Sequence, residues 1–263
     1  MKERLDILLV NKNLAPSREK AQRLIMAGLV TVDGKLADKS GTKFDVESIV
    51  NVKDSGLKYV SRGGFKLEKA ISSFNLDLND KICIDMGAST GGFTDCMLQN
   101  NAKKIYAIDV GFGQLDYKLR INPKVINIER TNIRYLDLNL INDNIDFISI
   151  DVSFISLKHI FKIAAELISD NGLITALIKP QFEAGKEEAS MGHGIIKDKK
   201  IHEDVIHKVI GYGIDNGLYL TNLTNSPIKG TKGNIEFLAL FSKNKEKELL
   251  NKDLYIKNLL EQK

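Results

Sequence analysis

Residues 85–95 read Asp-Met-Gly-Ala-Ser-Thr-Gly-Gly-Phe-Thr-Asp and follow the apolar run Ile82-Cys-Ile84. A glycine-rich turn between a strand and a helix offers unpaired backbone N–H groups to a polar or anionic ligand, with no Cβ in the way. Two common ligands are disfavoured by what is missing. No G-x-x-x-x-G-K-[ST] run is present to cradle phosphates, and Gly87, Gly91 and Gly92 do not have the G-x-G-x-x-G spacing. The remaining D-x-G-x-x-x-G-G pattern is typical of S-adenosylmethionine sites: Asp85 can face the amino-acid end, and Gly87, Ser89, Gly91 and Gly92 surround the methionine moiety. A tight turn in any doubly wound domain is the competing explanation.

Further chemistry falls after other apolar runs. Asp109 stands 24 residues beyond Asp85, close to the offset at which an acid reaches a ribose diol. Asn132 follows Val125–Ile128 and can serve an adenine or cap a turn. Asp151 opens Asp-Val-Ser-Phe-Ile-Ser-Leu157. That segment lacks the Asn/Asp-Pro-Pro-aromatic tetrad of amino-group methyltransferases, and neither Cys83 nor Cys96 is placed as the nucleophile of a C5-pyrimidine enzyme. Lys179 sits between the apolar Leu173–Ile178 and Pro180, although lysine is rarely buried without a purpose. Glu236 is an acid inside the apolar-rich strand 236–241. His193, in the polar glycine-bearing loop 183–195, reads as a loop residue. Tyr59, Phe65 and Phe154 are candidates either to stack on a base or to pack in a core.

These residues must be held by a regular scaffold. Apolar runs at 82–84, 104–108, 125–128, 146–150, 173–178, 218–223 and 236–241 predict strands, several covered on both faces. Segments 93–101, 156–168 and 198–216 predict crossover helices, and leucines at helical spacing within 243–263 predict a terminal helix that packs or frays. The sum is an α/β, doubly wound seven-stranded Rossmann-like domain, whose ligands gather at the carboxyl ends of the strands.

The first sixty residues differ. Leu5, Leu8 and Leu9 mark a short helix; Ser17 caps a second, in which Ala21, Leu24 and Ile25 recur until Gly28 ends it. Val30–Leu36 alternates around Asp33-Gly34, a hairpin signal. Arg18, Lys20 and Arg23 lie beside the second helix away from its apolar stripe, and Arg4 and Lys35 extend the patch. Residues 1–60 carry 11 Lys/Arg against 8 Asp/Glu, which suits an acidic polymer. The order of helix cap, helix stop, strand and Asp-Gly turn over residues 3–50 resembles the S4 RNA-binding domain, a small α+β fold. Residues 1–56 form this unit, 57–63 a linker and 64–263 the second domain.

Taken together, Ser61-Arg62-Gly-Gly-Phe-Lys66-Leu, the 85–95 turn, Glu129-Arg-Thr-Asn132, Asp151–Leu157, Lys179-Pro-Gln-Phe-Glu183 and Gly233-Asn-Ile-Glu236 resemble the TlyA family. Its members join an S4 domain to an FtsJ-like ribose 2′-O-methyltransferase domain and are often labelled hemolysins. The resemblance implies S-adenosylmethionine as cofactor and a Lys66, Asp151, Lys179, Glu236 catalytic tetrad. It also implies a cytidine of 23S and, in some members, 16S ribosomal RNA as substrate, with Arg62 added to the RNA-binding set. A ribose hydroxyl is a poor nucleophile, so Lys179 acts either as a base or as an electrostatic stabiliser of the alkoxide, with the two acids holding the lysines. The competing functions are a membrane-active hemolysin and a non-catalytic ribosome-assembly factor.

Composition agrees with the enzyme. A hydrophobic content of 43% with 27% charged residues is that of a globular protein. No apolar stretch reaches membrane-spanning length and the start lacks a signal-peptide core, so a cytoplasmic location is expected. The two cysteines form no metal-ligand or disulfide pattern, and no metal is expected.

Overall fold

The computed structural model describes residues 2–15, 17–26, 28–52, 58–185, 194–230 and 233–261. The chain separates into two compact units, Met1–Lys58 and Tyr59–Lys263.

In the first unit, β1 (Lys2–Arg4) runs into α1 (Leu5–Asn11), and α2 (Arg18–Met26) follows. The Lys20 amide donates to Ser17 Oγ at 3.3 Å, the capping bond that the sequence predicts, and the chain leaves α2 through Gly28 at φ +69°. Strands β2 (Val30–Val32) and β3 (Lys35–Leu36) meet across Asp33 and Gly34, both at positive φ as a type I′ turn requires. Two elements beyond the hairpin were not predicted: β4 (Lys43–Asp45) pairs with β1, and β5 (Val50–Val52) pairs with β2. An isolated hairpin this short is marginal, and β5 supplies a third strand. Leu5, Leu8, Leu9, Ala21, Ile25, Val30 and Val32 form the buried core.

The second unit opens with α3 (Gly63–Phe74), then β6 (Ile82–Met86), α4 (Gly92–Gln99), β7 (Lys104–Ile108), α5 (Tyr117–Arg120), β8 (Val125–Ile128) and β9 (Ile145–Ile150). It continues through α6 (Phe161–Leu167), β10 (Ile168–Ile178), α7 (Pro180–Glu183), α8 (Lys199–Ile214), β11 (Tyr219–Asn225), β12 (Phe237–Ser242) and α9 (Lys252–Glu261). All seven predicted strands are present, in the sheet order β11-β12-β10-β9-β6-β7-β8. Within this sheet β12 runs opposite to the other six strands, pairing antiparallel with both β10 and β11. Side-chain alternation splits the core into two layers. Ile84, Met86, Ile148 and Ile150 pack with residues of α6, α8 and α9, while Cys83, Phe147 and Leu177 pack with residues of α3 and α4. The terminal helix α9 packs, burying Ile256 and Leu259.

The sequence reading has no counterpart for α3. Its stripe of Leu67, Ala70 and Phe74 starts behind two glycines, a poor helix-start signal. Those glycines have a packing reason: a Cβ on Gly64 would fall 2.5 Å from Tyr59 Cβ. Tyr59, in the stretch read as linker, is 2% exposed within the second unit, and Gly63 already belongs to α3. Asp54, Ser55 and Gly56 lie outside the described residues.

Candidate active site

Strand order changes direction between β6 and β9, and the site is built at their carboxyl ends. Beyond Met86 the chain turns through Gly87 at φ +89°, where a Cβ would sit 2.5 Å from the Asp151 carbonyl oxygen. The Gly87 and Ala88 amides donate to Ile108 O at 2.9 and 3.1 Å, tying the turn to β7. Gly91, at φ +93°, is the residue from which α4 starts.

Gly87, Ala88, Ser89, Thr90 and Gly92 line one side of a cavity of about 760 Å³. The acids predicted to touch the cofactor stand behind this wall. Asp85 is completely buried; Thr94 Oγ1 donates to its Oδ2 at 2.6 Å and Ser149 Oγ to its Oδ1 at 3.2 Å. Burial, assisted by the nearby Asp151 charge, pushes its carboxyl up to about 7. The carboxylate of Asp109 accepts from the Ser89 amide at 2.8 Å and the Gly111 amide at 2.7 Å, so it clamps the turn. Asn132 accepts from the Arg134 amide at 3.1 Å and caps a short 3₁₀ turn. None of the three lines the cavity.

The same cavity is lined by all four charged candidates. Asp151 directly follows β9, and Lys179 follows β10 in an extended conformation, as a residue before proline requires. Because β12 is antiparallel, Glu236 at its start reaches the same sheet edge, and Lys66 projects from the first turn of α3. Lys66 Nζ lies 2.7 Å from Glu236 Oε2 and 4.0 Å from Asp151 Oδ2; Lys179 Nζ lies 2.5 Å from Asp151 Oδ1. The result is a continuous Glu236–Lys66–Asp151–Lys179 chain of alternating charge. Glu236 is 3% and Lys179 8% exposed, so each charge has a partner where an isolated one would be costly.

Three supporting residues escaped the sequence reading. Lys179 Nζ donates to Ser153 Oγ at 2.9 Å, and Gln181 Nε2 donates to Glu236 Oε1 at 3.4 Å. Buried Glu183 accepts from Ser156 Oγ at 2.6 Å and the Leu157 amide at 2.7 Å, fastening the segment after β10 to the one after β9. The available signal was spacing, since Ser153 and Gln181 each stand two residues beyond a tetrad member.

Phe154 separates from the other aromatic candidates. Tyr59 is buried and packs edge-to-face with Phe65. Phe154 lines the cavity at φ +63° and 91% exposed, its ring 5.0 Å from that of Phe182. A bulky side chain held in the left-handed region and in water is a feature of functional sites. His193 and loop residues 186–193 lie outside the described residues.

The basic candidates also divide. Arg62 is exposed and lines the cavity mouth. In the first unit, Arg4 Nε lies 3.0 Å from Asp6 Oδ1 and Arg18 Nη2 3.1 Å from Asp6 Oδ2, with Gln22 donating to the same oxygen at 3.0 Å. Arg4 and Arg18 keep 41% and 56% of their side chains in solvent, so each is anchored at one edge of its guanidinium and open at the other. Lys35 is exposed on β3, Lys20 is half-buried on α2, and Arg23 belongs to α2 with its side chain outside the described set.

The sheet order, the glycine turn and an edge bearing a lysine–carboxylate chain define a doubly wound methyltransferase. The chain is a member of the TlyA family of S4 plus FtsJ-like proteins: the FtsJ-like methyltransferase family matches residues 59–243 and the S4 domain residues 3–50. A relative from Mycobacterium tuberculosis named 16S/23S rRNA (cytidine-2′-O)-methyltransferase TlyA is 36% identical, over 95% of this chain and 94% of its own length. Hemolysin A of Brachyspira hyodysenteriae is 45% identical, over 90% of this chain and 99% of its own. A solved structure from Streptococcus thermophilus superposes with a TM-score of 0.75 at 46% identity, over 98% of this chain and 94% of that one.

Proposed function

We propose that this protein transfers a methyl group from S-adenosylmethionine to the 2′-hydroxyl of a cytidine in 23S, and in some contexts 16S, ribosomal RNA, acting on ribosomes or their subunits in the cytoplasm. The observation that carries this reading is the Glu236–Lys66–Asp151–Lys179 chain lining one cavity together with the glycine turn. At about 760 Å³ the cavity lies within the ordinary range for a bound small molecule of cofactor size. The backbone of Gly87, Ala88, Ser89 and Gly92 would hold the cofactor, while Asp85 and Asp109 shape that backbone from behind. When bound, the cofactor supplies an electrophilic sulfonium methyl.

The remaining work falls to the protein. Lys179, gripped by Asp151 and Ser153, would meet the 2′-oxygen and either take its proton as a base or stabilise the developing alkoxide while the proton passes to solvent. Lys66 and Glu236 complete the charge balance and keep Asp151 from swinging away. Phe154 offers a stacking face to the target base. Arg62 with Arg4, Arg18, Lys20, Arg23 and Lys35 contributes cationic contacts to the RNA backbone. The competing membrane reading finds no support in the fold: among the described residues no helix is long and apolar enough to cross a membrane.

The test is transfer of labelled methyl groups to ribosomal subunits from a strain lacking the gene, followed by mapping of ribose methylation. Incorporation at a cytidine 2′-oxygen is expected, and Lys179→Ala abolishes it while cofactor affinity stays within about threefold, because a transition-state contact is lost and a binding contact is not. Failure of the unaltered chain to label either subunit would refute the proposal.

A further inference from the structure

A second hollow, of about 370 Å³, opens beside the reactive cavity and shares Ile228, Lys229 and Glu236 with its wall. Lys197, Lys199 and Lys229 stand around it, all three exposed. Among the described residues none of the three has an acidic partner. The adjacent acids are committed elsewhere: Asp198 accepts from the Lys200 amide at 2.8 Å to cap α8, and Glu236 is held by Lys66 and Gln181. The lining therefore carries three lysines against one carboxylate, Glu236, which is already paired with Lys66, and the hollow has an excess of positive charge.

Its wall is also firmly built. Asn234, 2% exposed, accepts from the Ile196 amide at 2.9 Å and donates to Gly194 O at 2.8 Å, and a ring nitrogen of His202 lies 3.1 Å from Ile196 O. The segment carrying Lys197 and Lys199 is thus stapled to the β11–β12 connection that carries Lys229. A preformed hollow with a cationic rim, sharing Ile228, Lys229 and Glu236 with the wall of the reactive cavity, suits an anion covalently continuous with the substrate.

We infer that this hollow seats the RNA strand as it leaves the reactive cavity, with Lys197, Lys199 and Lys229 holding backbone phosphates of nucleotides next to the methylated one. The inference rests on the RNA methyltransferase reading above and extends it. A ribose inside a chain enters the cavity with a phosphodiester on either side, and its 2′-carbon neighbours the carbon bearing the 3′-phosphate. Seating the flanking phosphates therefore fixes the position of the one free ribose hydroxyl, the 2′, relative to Lys179. Lysines suit the task because they follow phosphate charge without reading base identity.

The test uses the full chain carrying Lys197→Gln, Lys199→Gln and Lys229→Gln together, assayed for methyl transfer to RNA over a range of salt. Removing three phosphate contacts lowers the slope of log RNA affinity against log salt by about 2 to 3 and raises KM for RNA roughly tenfold or more at moderate salt. Thermal midpoint stays unchanged, the Lys197→Gln, Lys199→Gln double variant, which leaves the wall of the reactive cavity intact, keeps cofactor affinity and kcat at saturating RNA, and the matching triple Lys→Arg chain recovers the RNA affinity. An active variant whose KM for RNA and salt slope equal those of the unaltered chain would overturn the inference. Absence of any RNA methylation by the unaltered chain is a different result, which removes the underlying reading together with this extension of it.

Discussion

Asp85 stands directly behind the glycine turn of the cavity without lining it. Among the described residues its carboxyl has no cation partner; the hydroxyls of Thr94 and Ser149 and the Thr94 backbone amide hold it, and burial raises its pKa to about 7. In the unfolded chain an aspartate ionises near 3.9. The folded state therefore keeps the proton over a window in which the unfolded state has released it. The contribution to stability is full below about pH 4, declines as pH rises and has gone by about pH 7. Denaturant unfolding across pH 4 to 8 is expected to show this decline, and Asp85→Asn, which has no proton to lose, is expected to flatten it. A decline that persists unchanged in the Asn variant would assign it to another group. The chemistry-bearing residues were legible in the sequence to different degrees. Lys179 and Glu236 stood out because each interrupts or closes an apolar run. Lys66 carried no such signal and was reached through the family resemblance, while Ser153 and Gln181 are ordinary polar residues whose importance lies in a bond formed only on folding.

At the scale of elements, the site depends on how closely two segments approach. The carbonyl of Asp151 presses on Gly87 where β9 and β6 end, and the Asp151 amide in turn donates to Met86 O at 3.0 Å. Gly87→Ala places a Cβ against that carbonyl and also forces alanine to φ +89°. The expected outcome is destabilisation of about 1–3 kcal/mol together with a large loss of kcat, because Asp151 is displaced from both lysines. Calorimetry and steady-state kinetics on the same variant check both parts; unchanged kcat with a lowered melting temperature would show that the turn and the tetrad are not mechanically coupled. The strands were readable because parallel strands covered on both faces appear as apolar runs. Helix α3 was not, since Gly63 and Gly64 serve packing against Tyr59 and α4 and conceal the start of its stripe. Strands β4 and β5, three residues each, are too short for alternation to register.

For the whole molecule, the proposed function assigns RNA affinity to the first unit and chemistry to the second. Every cavity-lining residue lies between Ser61 and Glu236, inside the second unit, and that unit has its own two-layer core. The first unit has a separate core and presents guanidinium groups anchored on Asp6, an arrangement that fixes their direction, and the proposed function gives them phosphates to meet. Phosphate contacts of this kind set affinity and its salt dependence without taking part in the reaction. Removal of residues 1–58 is therefore expected to leave cofactor affinity unchanged within about twofold while raising KM for ribosomal RNA on the order of a hundredfold, since several charge contacts are lost together. Isothermal titration with the cofactor and methyl transfer at varied RNA concentration separate the two effects. Because the unit that holds the cavity keeps its core, kcat at saturating RNA is expected to survive the deletion. Loss of cofactor binding in parallel with RNA binding would mean that the first unit is required to form the active site itself, and the division of labour would fail.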